Sequence, residues 1–147
     1  KILDILTDDG LFLCNFFGEQ TLRELRQCFF IADDRFLSGA FNRIPKVDLM
    51  ADFSNLLAEV GYNEIVTEKV NFDIFYKSII GILKDIKNMG EKIPIIEKKE
   101  KISKTYINFL NKIYIKEFAN QNRQLKVTLD IISISSWKQL KNNSTNQ

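Results

Sequence analysis

Hydrophobic and polar positions alternate along the chain between strand-like and helix-like patterns. Three segments have the apolar or β-branched composition of strands: residues 11–17, 63–72 and 125–137. Four segments place apolar residues three and four positions apart, which predicts helices: residues 21–33, 49–60, 75–89 and 102–119. The predicted order is therefore β-α-α-β-α-α-β, which is typical of an α/β fold.

The first residues of the chain have a pattern that is typical of the middle of a domain. Residues 1–6 are typical of the end of a helix, and the turn at residues 7–10 leads directly into the apolar strand at residues 11–17. A helix, a turn, a buried strand and a second helix in this order favour the second half of a doubly wound α/β domain. In such domains the cofactor-binding half is expected to come first.

Local signals refine three of these elements. Thr21 and Glu24 have the spacing of a capping box, in which the Thr hydroxyl and the Glu carboxylate each accept from the other residue's backbone N–H. Gly61 lies where a glycine in the left-handed conformation ends a helix. The alternation of apolar residues in the last strand changes phase at Ile132, which predicts a bulge there.

Charge and hydropathy exclude several classes of function. The formal net charge of +2 is too small to indicate binding of nucleic acid or of an acidic membrane surface. No apolar stretch approaches the roughly 20 residues that a membrane-spanning helix needs. The first residues also lack a basic region followed by an apolar segment, so the cytoplasm is the expected location.

The residue types present exclude several kinds of active site. The chain has no histidine, and its two cysteines, Cys14 and Cys28, are far apart, so we expect free thiols and no zinc site or histidine-based triad. The two glycines nearest to each other, Gly10 and Gly18, are eight positions apart. A loop that cradles a phosphate or nucleoside needs glycines two or three positions apart, so no such loop is expected. The sequence assigns no catalytic residue.

Four stretches resemble one known family. The letters DGLFL at residues 9–13, followed by GEQTLRELR at residues 18–26, together resemble one stretch, D/G-G-x-hydrophobic and then G-x-T-L-x-E-L-R, of a subgroup of class I S-adenosylmethionine-dependent methyltransferases. That subgroup includes the malonyl-acyl-carrier-protein O-methyltransferase of biotin synthesis and its mitochondrial relative, a complex I assembly factor that acts as an arginine hydroxylase. Three later stretches resemble its motifs in the same order: LLAEVGY at 56–62, ILKDIKNMGE at 82–91, and VTL to SWK at 127–138.

The sequence departs from the family pattern at Asp8, which replaces the usual Pro, at two positions of the last strand, and in its extent. Leu129 stands where the family has Tyr, and Ser136 where it has the Gly before Trp. The glycine-rich loop and the acidic residue that binds the cofactor ribose, both in the first half of the family domain, have no counterpart in this sequence.

The resemblance implies the C-terminal part of a Rossmann-like class I methyltransferase fold. The complete sheet has the strand order 3-2-1-4-5-7-6, of which this chain would supply strands 5, 6 and 7, with strand 7 antiparallel between the other two. Residues 1–138 would form this half-domain, and residues 139–147 a disordered tail. The helices at about 21–33 and 74–119 would form a lid over the acceptor substrate.

The substrate side of the site is expected beyond the carboxyl ends of the strands. The candidates are Phe17, Gly18, Thr21, Arg26, Arg35, Arg43, Met89 and Thr128. The three arginines would recognise an acceptor carboxylate with a bidentate fork, or else be solvent-facing charges. Thr21 is either a helix cap or a substrate contact, and Met89 either packs in the core or lid or lines the acceptor pocket.

Three functions stay open from the sequence. The first is methyl transfer to a carboxylate of an acyl-carrier-linked substrate, with S-adenosylmethionine as the cofactor of the complete domain and none bound by this chain alone. Its partners would be a polypeptide carrying the cofactor half, and an acyl carrier protein or a protein substrate. The second is a non-catalytic binding or assembly module, and the third a helical scaffold without a sheet.

An unpaired edge of the first strand would also favour a homodimer. Under the first of the three functions, the sequence would be a fragment of a methyltransferase, the product of a split gene or a gene remnant.

Overall fold

The structure, a computed structural model, describes residues 1–39, 41, 43–44, 50–90 and 102–138. Its elements are α1 (Ile2–Ile5), β1 (Leu11–Phe17), α2 (Arg23–Leu37), α3 (Met50–Glu59), β2 (Tyr62–Tyr76), α4 (Ile79–Asn88), α5 (Lys104–Phe118) and β3 (Leu125–Lys138). The fold is therefore mixed α/β, as the hydrophobic pattern predicted. The tail predicted at residues 139–147 lies outside the described residues.

The three described strands form one sheet in the order β1-β3-β2. β1 runs antiparallel to β3, with Leu11 opposite Trp137 and Phe17 opposite Ile131. The last strand of the chain thus lies between the first two, as expected from the resemblance. These strands also show that the helical-scaffold interpretation is wrong.

Against β1, the bulge predicted at Ile132 is wrong. The pairing of β3 with β1 continues without interruption from Ile131 to Trp137. The phase change has another cause, since Leu125 and Val127 belong to one hydrophobic cluster and Ile132 and Ile134 to a second. The buried apolar residues of these clusters are therefore odd-numbered in the first part of the strand and even-numbered in the second.

The start of α2 differs from the predicted capping box. The residue before the helix is Leu22, which has a left-handed backbone with φ 58°, and no side chain caps the helix. The capping box is wrong because the Glu24 carboxylate accepts from Thr128 on β3 instead. The helix also continues to Leu37, four residues beyond the predicted end at 33.

The boundary between β2 and α4 is also later than predicted. Residues 74–76 are strand, which suits the β-branched and aromatic side chains of Ile74, Phe75 and Tyr76. The helix begins after Ser78, whose hydroxyl accepts from the Gly81 backbone N–H at 3.2 Å. The left-handed glycine predicted at the end of α3 is confirmed, with φ 103° at Gly61.

Contacts within the chain divide it into two compact units. The first unit comprises Lys1–Gly18, Val47–Val70 and Asp130–Gln147. Its core contains Leu57, Tyr62, Ile132 and Ile134, against which Phe12, Phe16 and Phe53 pack. The run expected to be a buried strand is covered on one face only, since Leu11, Leu13 and Phe17 are exposed in this chain.

The second unit comprises Glu19–Lys46 and Asn71–Leu129. Here α5 packs against α2 and α4. Its fully buried side chains include Leu25, Phe29, Ile82, Leu110, Tyr114 and Leu125. None of the helices in the described part of the chain is long and apolar enough to cross a membrane.

Candidate functional site

A cavity of about 580 Å³ lies in the second unit. It is lined by Gln20, Arg23, Glu24, Arg26, Gln27, Phe30, Phe118 and Lys126. Its volume is in the range of sites that hold a small ligand. The lining combines three cationic side chains with two phenylalanines, so it presents positive charge and an apolar wall to a ligand.

The buried carboxylate of Glu24 belongs to the lining of this cavity and is held by hydrogen bonds. It accepts from the backbone N–H of Thr128 at 3.0 Å and from the Thr128 hydroxyl at 2.6 Å. Arg23 Nε donates to the same carboxylate at 3.2 Å. These three donors satisfy the buried carboxylate, and the bonds from Thr128 join α2 to β3.

A second carboxylate lies beside the first. Asp73 Oδ2 is 2.8 Å from Lys126 Nζ, and Asp73 Oδ1 is 3.2 Å from the Thr128 hydroxyl. The hydrogen bond from Lys126 is the main reason that the pKa of Asp73 lies below its usual value. Because the Thr128 hydroxyl has a single proton, its shorter bond to Glu24 determines where that proton lies.

Arg26 is the predicted arginine that lines the cavity, and it is buried. Its Nε donates to the Ile44 carbonyl at 2.9 Å, while Nη2 donates to the carbonyls of Glu19 and Thr21 at 3.1 and 3.0 Å. Burial lowers the pKa of Arg26 from its ordinary value, against the opposing effect of Glu19 and Glu24. The solvent-facing alternative is therefore wrong for this residue.

Arg43 is buried too, in an ion pair with Asp33. Arg43 Nε and Nη2 donate to the two Asp33 carboxylate oxygens at 2.7 and 2.6 Å, and the Tyr106 hydroxyl donates to Asp33 at 2.6 Å. Burial alone would lower the pKa of Arg43, but the hydrogen bond to Asp33 raises it above its ordinary value. Arg43 is therefore not a solvent-facing charge either, and it is not among the residues that line the cavity.

The structure places the other candidates as follows. Thr21 and Thr128 contact lining residues, through the Thr21 carbonyl to Arg26 and through the Thr128 hydroxyl to Glu24. Arg35 lies over the Phe109 ring with its guanidinium carbon 5.1 Å from the ring centroid, and Met89 is exposed. Neither of these two lines the cavity, and the substrate roles of all of them stay predictions.

Phe17 and Gly18 belong to the first unit. Gly18 is covered by Asp130, and a Cβ added there would lie 2.7 Å from the Asp130 carboxylate carbon. The Gly18 N–H also donates to the Asp130 carbonyl at 2.7 Å, and Lys69 pairs with the Asp130 carboxylate at 3.1 Å. The close approach of Asp130 explains why position 18 is a glycine, so no bound ligand is needed to account for it.

Comparison with known proteins gives partial matches of low identity. The chain is 26% identical over 134 residues to the mitochondrial arginine-hydroxylase NDUFAF5 of Dictyostelium discoideum, covering 90% of this chain and 31% of that protein. It is 30% identical over 119 residues to a candidate methyltransferase of Rickettsia prowazekii, covering 74% of this chain and 51% of that protein. It is 31% identical over 86 residues to the malonyl-[acyl-carrier protein] O-methyltransferase of Nitrosospira multiformis, covering 58% of this chain and 26% of that protein. No protein-family model matches the chain.

The chain is related to the class I methyltransferases. The relationship inferred from the four sequence stretches is thus confirmed. The chain spans between about a quarter and a half of the relatives named above. The methyltransferases among them imply use of S-adenosylmethionine in the family. The cytoplasmic location stays a prediction, because the NDUFAF5 relatives are named as mitochondrial.

Several site residues of this methyltransferase relative were missed by sequence reasoning. Glu24 was assigned to a helix cap, while Asp73 and Lys126 were not singled out. One signal was available, since Lys126, Thr128 and Asp130 place three polar residues at alternate positions within the otherwise apolar residues 125–132. Among the described residues, no cluster of three or more His, Cys, Asp or Glu side chains has the arrangement of a metal site.

Proposed function

We propose that this chain supplies the acceptor side of an S-adenosylmethionine-dependent methyltransferase domain. The observation that carries the proposal is the sheet order β1-β3-β2 with β3 antiparallel to β1. In the class I fold the last strand lies antiparallel between strands 5 and 6, so β1, β2 and β3 would be strands 5, 6 and 7. The helices α2, α4 and α5 would then form the lid over the acceptor.

The cavity lining favours an acceptor that carries a carboxylate. Arg23, Arg26 and Lys126 contribute three positive charges to the lining. Two carboxylates offset part of this charge, since Glu24 pairs with Arg23 and Asp73 pairs with Lys126, and one positive charge remains in excess. Phe30 and Phe118 would pack against an apolar acyl stem. An acceptor guanidinium would meet like charge in this cavity, which disfavours arginine as the substrate. The acceptor class that fits is therefore a carboxylate on an acyl group, of the kind presented by an acyl carrier protein.

The residues of this chain do not fit the cofactor by themselves. Gly10 and Gly18 are too far apart in sequence to form one cradle, and Gly18 is occupied by the Asp130 side chain. The role proposed for the chain is therefore to hold the acceptor carboxylate ionised and in a fixed position. Methyl transfer from a sulfonium depends mainly on alignment, so this role requires no catalytic base.

A titration with an acceptor analogue tests this role. The malonyl thioester of N-acetylcysteamine, added to the labelled chain, is expected to shift the amide NMR signals of residues 23–27 and 126. Its methyl ester lacks the negative charge and is expected to bind about tenfold more weakly, the equivalent of one charge-assisted hydrogen bond. Equal shifts with both compounds, or none with either, would contradict a carboxylate site.

Two substitutions distinguish cavity charge from general charge. Arg23→Gln and Lys126→Gln each remove one cation from the cavity lining and are expected to weaken binding of the acid. Lys116→Gln is the matched control, because Lys116 is on α5, is highly exposed and does not line the cavity. Equal weakening by all three variants would show that the acid responds only to net charge.

One observation favours a second candidate, a non-catalytic assembly module. The NDUFAF5 relatives from Dictyostelium and Danio rerio match 90% and 94% of this chain, whereas the Nitrosospira methyltransferase matches 58%. Under this candidate the chain would bind a protein partner without methyl transfer. Transfer of labelled methyl from S-adenosylmethionine to the malonyl thioester, in the presence of a polypeptide carrying the family's glycine-rich loop, would exclude it.

The outer strand β1 is the proposed contact with that cofactor half, or with a second copy of the chain when the half is absent. Leu13 is 66% exposed on this strand. An exposed apolar strand at a sheet edge favours pairing with another chain. Light scattering is expected to show dimers that dissociate in Leu13→Lys, and a monomer at high concentration would contradict the homodimer.

A further inference from the structure

The cavity arginine Arg26 is held by a carbonyl whose position depends on a separate buried ion pair. Its Nε donates to the Ile44 carbonyl at 2.9 Å. The residue directly before Ile44 is Arg43, which is bonded through two nitrogens to Asp33 on α2. The chain of contacts is therefore Asp33 to Arg43, then Ile44, then the guanidinium that lines the cavity.

We propose that Arg43 is a positioning residue for Arg26. The Asp33–Arg43 pair fixes the backbone at residues 43–44, and the Ile44 carbonyl then fixes the plane of the Arg26 guanidinium. This proposal rests on the proposed function only where it concerns the acceptor, since the positioning of Arg26 can be measured without a ligand.

The Asp33–Arg43 pair anchors the Arg43 guanidinium through several contacts. Asp33 is fully buried and accepts from Arg43 at two oxygens and from the Tyr106 hydroxyl at one of them. The Arg43 guanidinium also lies over the Phe29 and Phe41 rings, 5.5 and 5.7 Å from their centroids. A bidentate, stacked guanidinium has few alternative positions, so its backbone has few as well.

The guanidinium of Arg26 needs this support because its plane is defined by its acceptors. Nη2 donates to the carbonyls of Glu19 and Thr21. The bond from Nε to the Ile44 carbonyl is the third of these contacts, and its acceptor belongs to the residue that directly follows Arg43. Without it, the two remaining bonds are both at Nη2, so the Nε end of the guanidinium is held less tightly.

The test needs a variant that removes the pair without leaving a buried charge. Arg43→Met alone would strand the Asp33 carboxylate in the interior, which is strongly destabilising. The double variant Asp33→Leu with Arg43→Met replaces both charges with apolar groups of similar length, a change that folded proteins commonly tolerate. Tyr106→Phe is the matched control, because it removes one donor to Asp33 and keeps the Asp33–Arg43 pair.

The first readout is hydrogen exchange of the Arg26 Nε–H, observed by NMR in folded protein. We expect exchange at least about tenfold faster in the double variant than in the wild type, since the hydrogen bond to Ile44 is lost. We expect Tyr106→Phe to exchange at the wild-type rate, and Arg43→Lys, which keeps one charged contact, to be intermediate. A folded double variant with wild-type exchange at Arg26 would overturn the proposal.

The second readout is affinity for the malonyl thioester of N-acetylcysteamine. If the wild type binds it, the double variant is expected to bind about tenfold more weakly, with Tyr106→Phe unchanged. Unchanged affinity despite faster exchange would refute the effect on the acceptor. Absence of binding by the wild type would refute the proposed function and leave the exchange result to decide whether Arg43 positions Arg26.

Discussion

Thr128 donates two hydrogen bonds to the buried carboxylate of Glu24, one from its backbone N–H at 3.0 Å and one from its hydroxyl at 2.6 Å. These residues are 104 positions apart in sequence, and the bonds fix α2 against β3 at the cavity. A single Thr on β3 thus holds the cavity carboxylate of Glu24 in place.

Thr128→Val is expected to destabilise the chain by about 2 kcal/mol. Valine has the shape of threonine but no hydroxyl, so the charged Glu24 loses its shortest hydrogen bond. Urea unfolding followed by circular dichroism measures this change. Thr128→Ser keeps the hydroxyl and should be close to the wild type, and equal losses in both variants would show that packing, not the hydroxyl, is responsible.

Gly18→Ala is expected to destabilise the chain by about 2 kcal/mol, because the new Cβ would overlap the Asp130 carboxylate. The matched control is Gly39→Ala, since no described atom lies within 4 Å of a Cβ placed there. Thermal unfolding of the two variants gives the comparison. Equal melting temperatures would contradict the close approach of Asp130 to Gly18.

The Asp73 carboxyl is expected to titrate below its usual pKa of 3.8, chiefly because Lys126 hydrogen-bonds to it. A lowered pKa in the folded state contributes stability above pH 3.8, and that stability is lost as the pH falls through the folded pKa. NMR titration of the carboxyl carbon measures it. In Lys126→Gln the pKa should rise toward its usual value, and an unchanged pKa would show that Lys126 is not the cause.

The two cysteines are expected to differ in reactivity. Burial raises the pKa of Cys28 to about 12, with further contributions from Glu117 and Glu24, so almost no thiolate forms at neutral pH. Cys14 is only partly buried. Mass spectrometry after brief treatment with a thiol reagent should find Cys14 labelled first and Cys28 labelled only in denaturant. Labelling of both at the same rate in the folded chain would contradict this difference.

The main elements could be predicted because their patterns are local. Apolar spacing placed α3 and α5 within a few residues, and the strand at Leu11–Phe17 had the predicted bounds. The start of α2 could not be predicted, because Glu24 makes its bonds to a residue at the other end of the sequence. A capping box is predicted from neighbouring residues alone, whereas in the structure the Glu24 carboxylate is bonded to Thr128 instead.

The buried charges were harder to predict than the elements. Asp33 was predicted to lie at the end of a helix, where an aspartate is usually exposed. It is fully buried instead, because Arg43 and Tyr106 donate hydrogen bonds to it from elsewhere in the chain. Arg26 lines the cavity, and its role toward an acceptor stays a prediction. Its three carbonyl contacts could not be inferred from sequence. Whether a charge is paired depends on residues that only the fold brings together.

The most direct test of the central claim is a calorimetric titration with S-adenosylmethionine. We expect no binding to this chain alone, and micromolar binding once a polypeptide that carries the family's glycine-rich loop is added. Micromolar binding to the chain alone would contradict the claim that it supplies only the acceptor side of the domain. Absence of binding in the presence of that polypeptide would contradict the claim that the chain completes a methyltransferase.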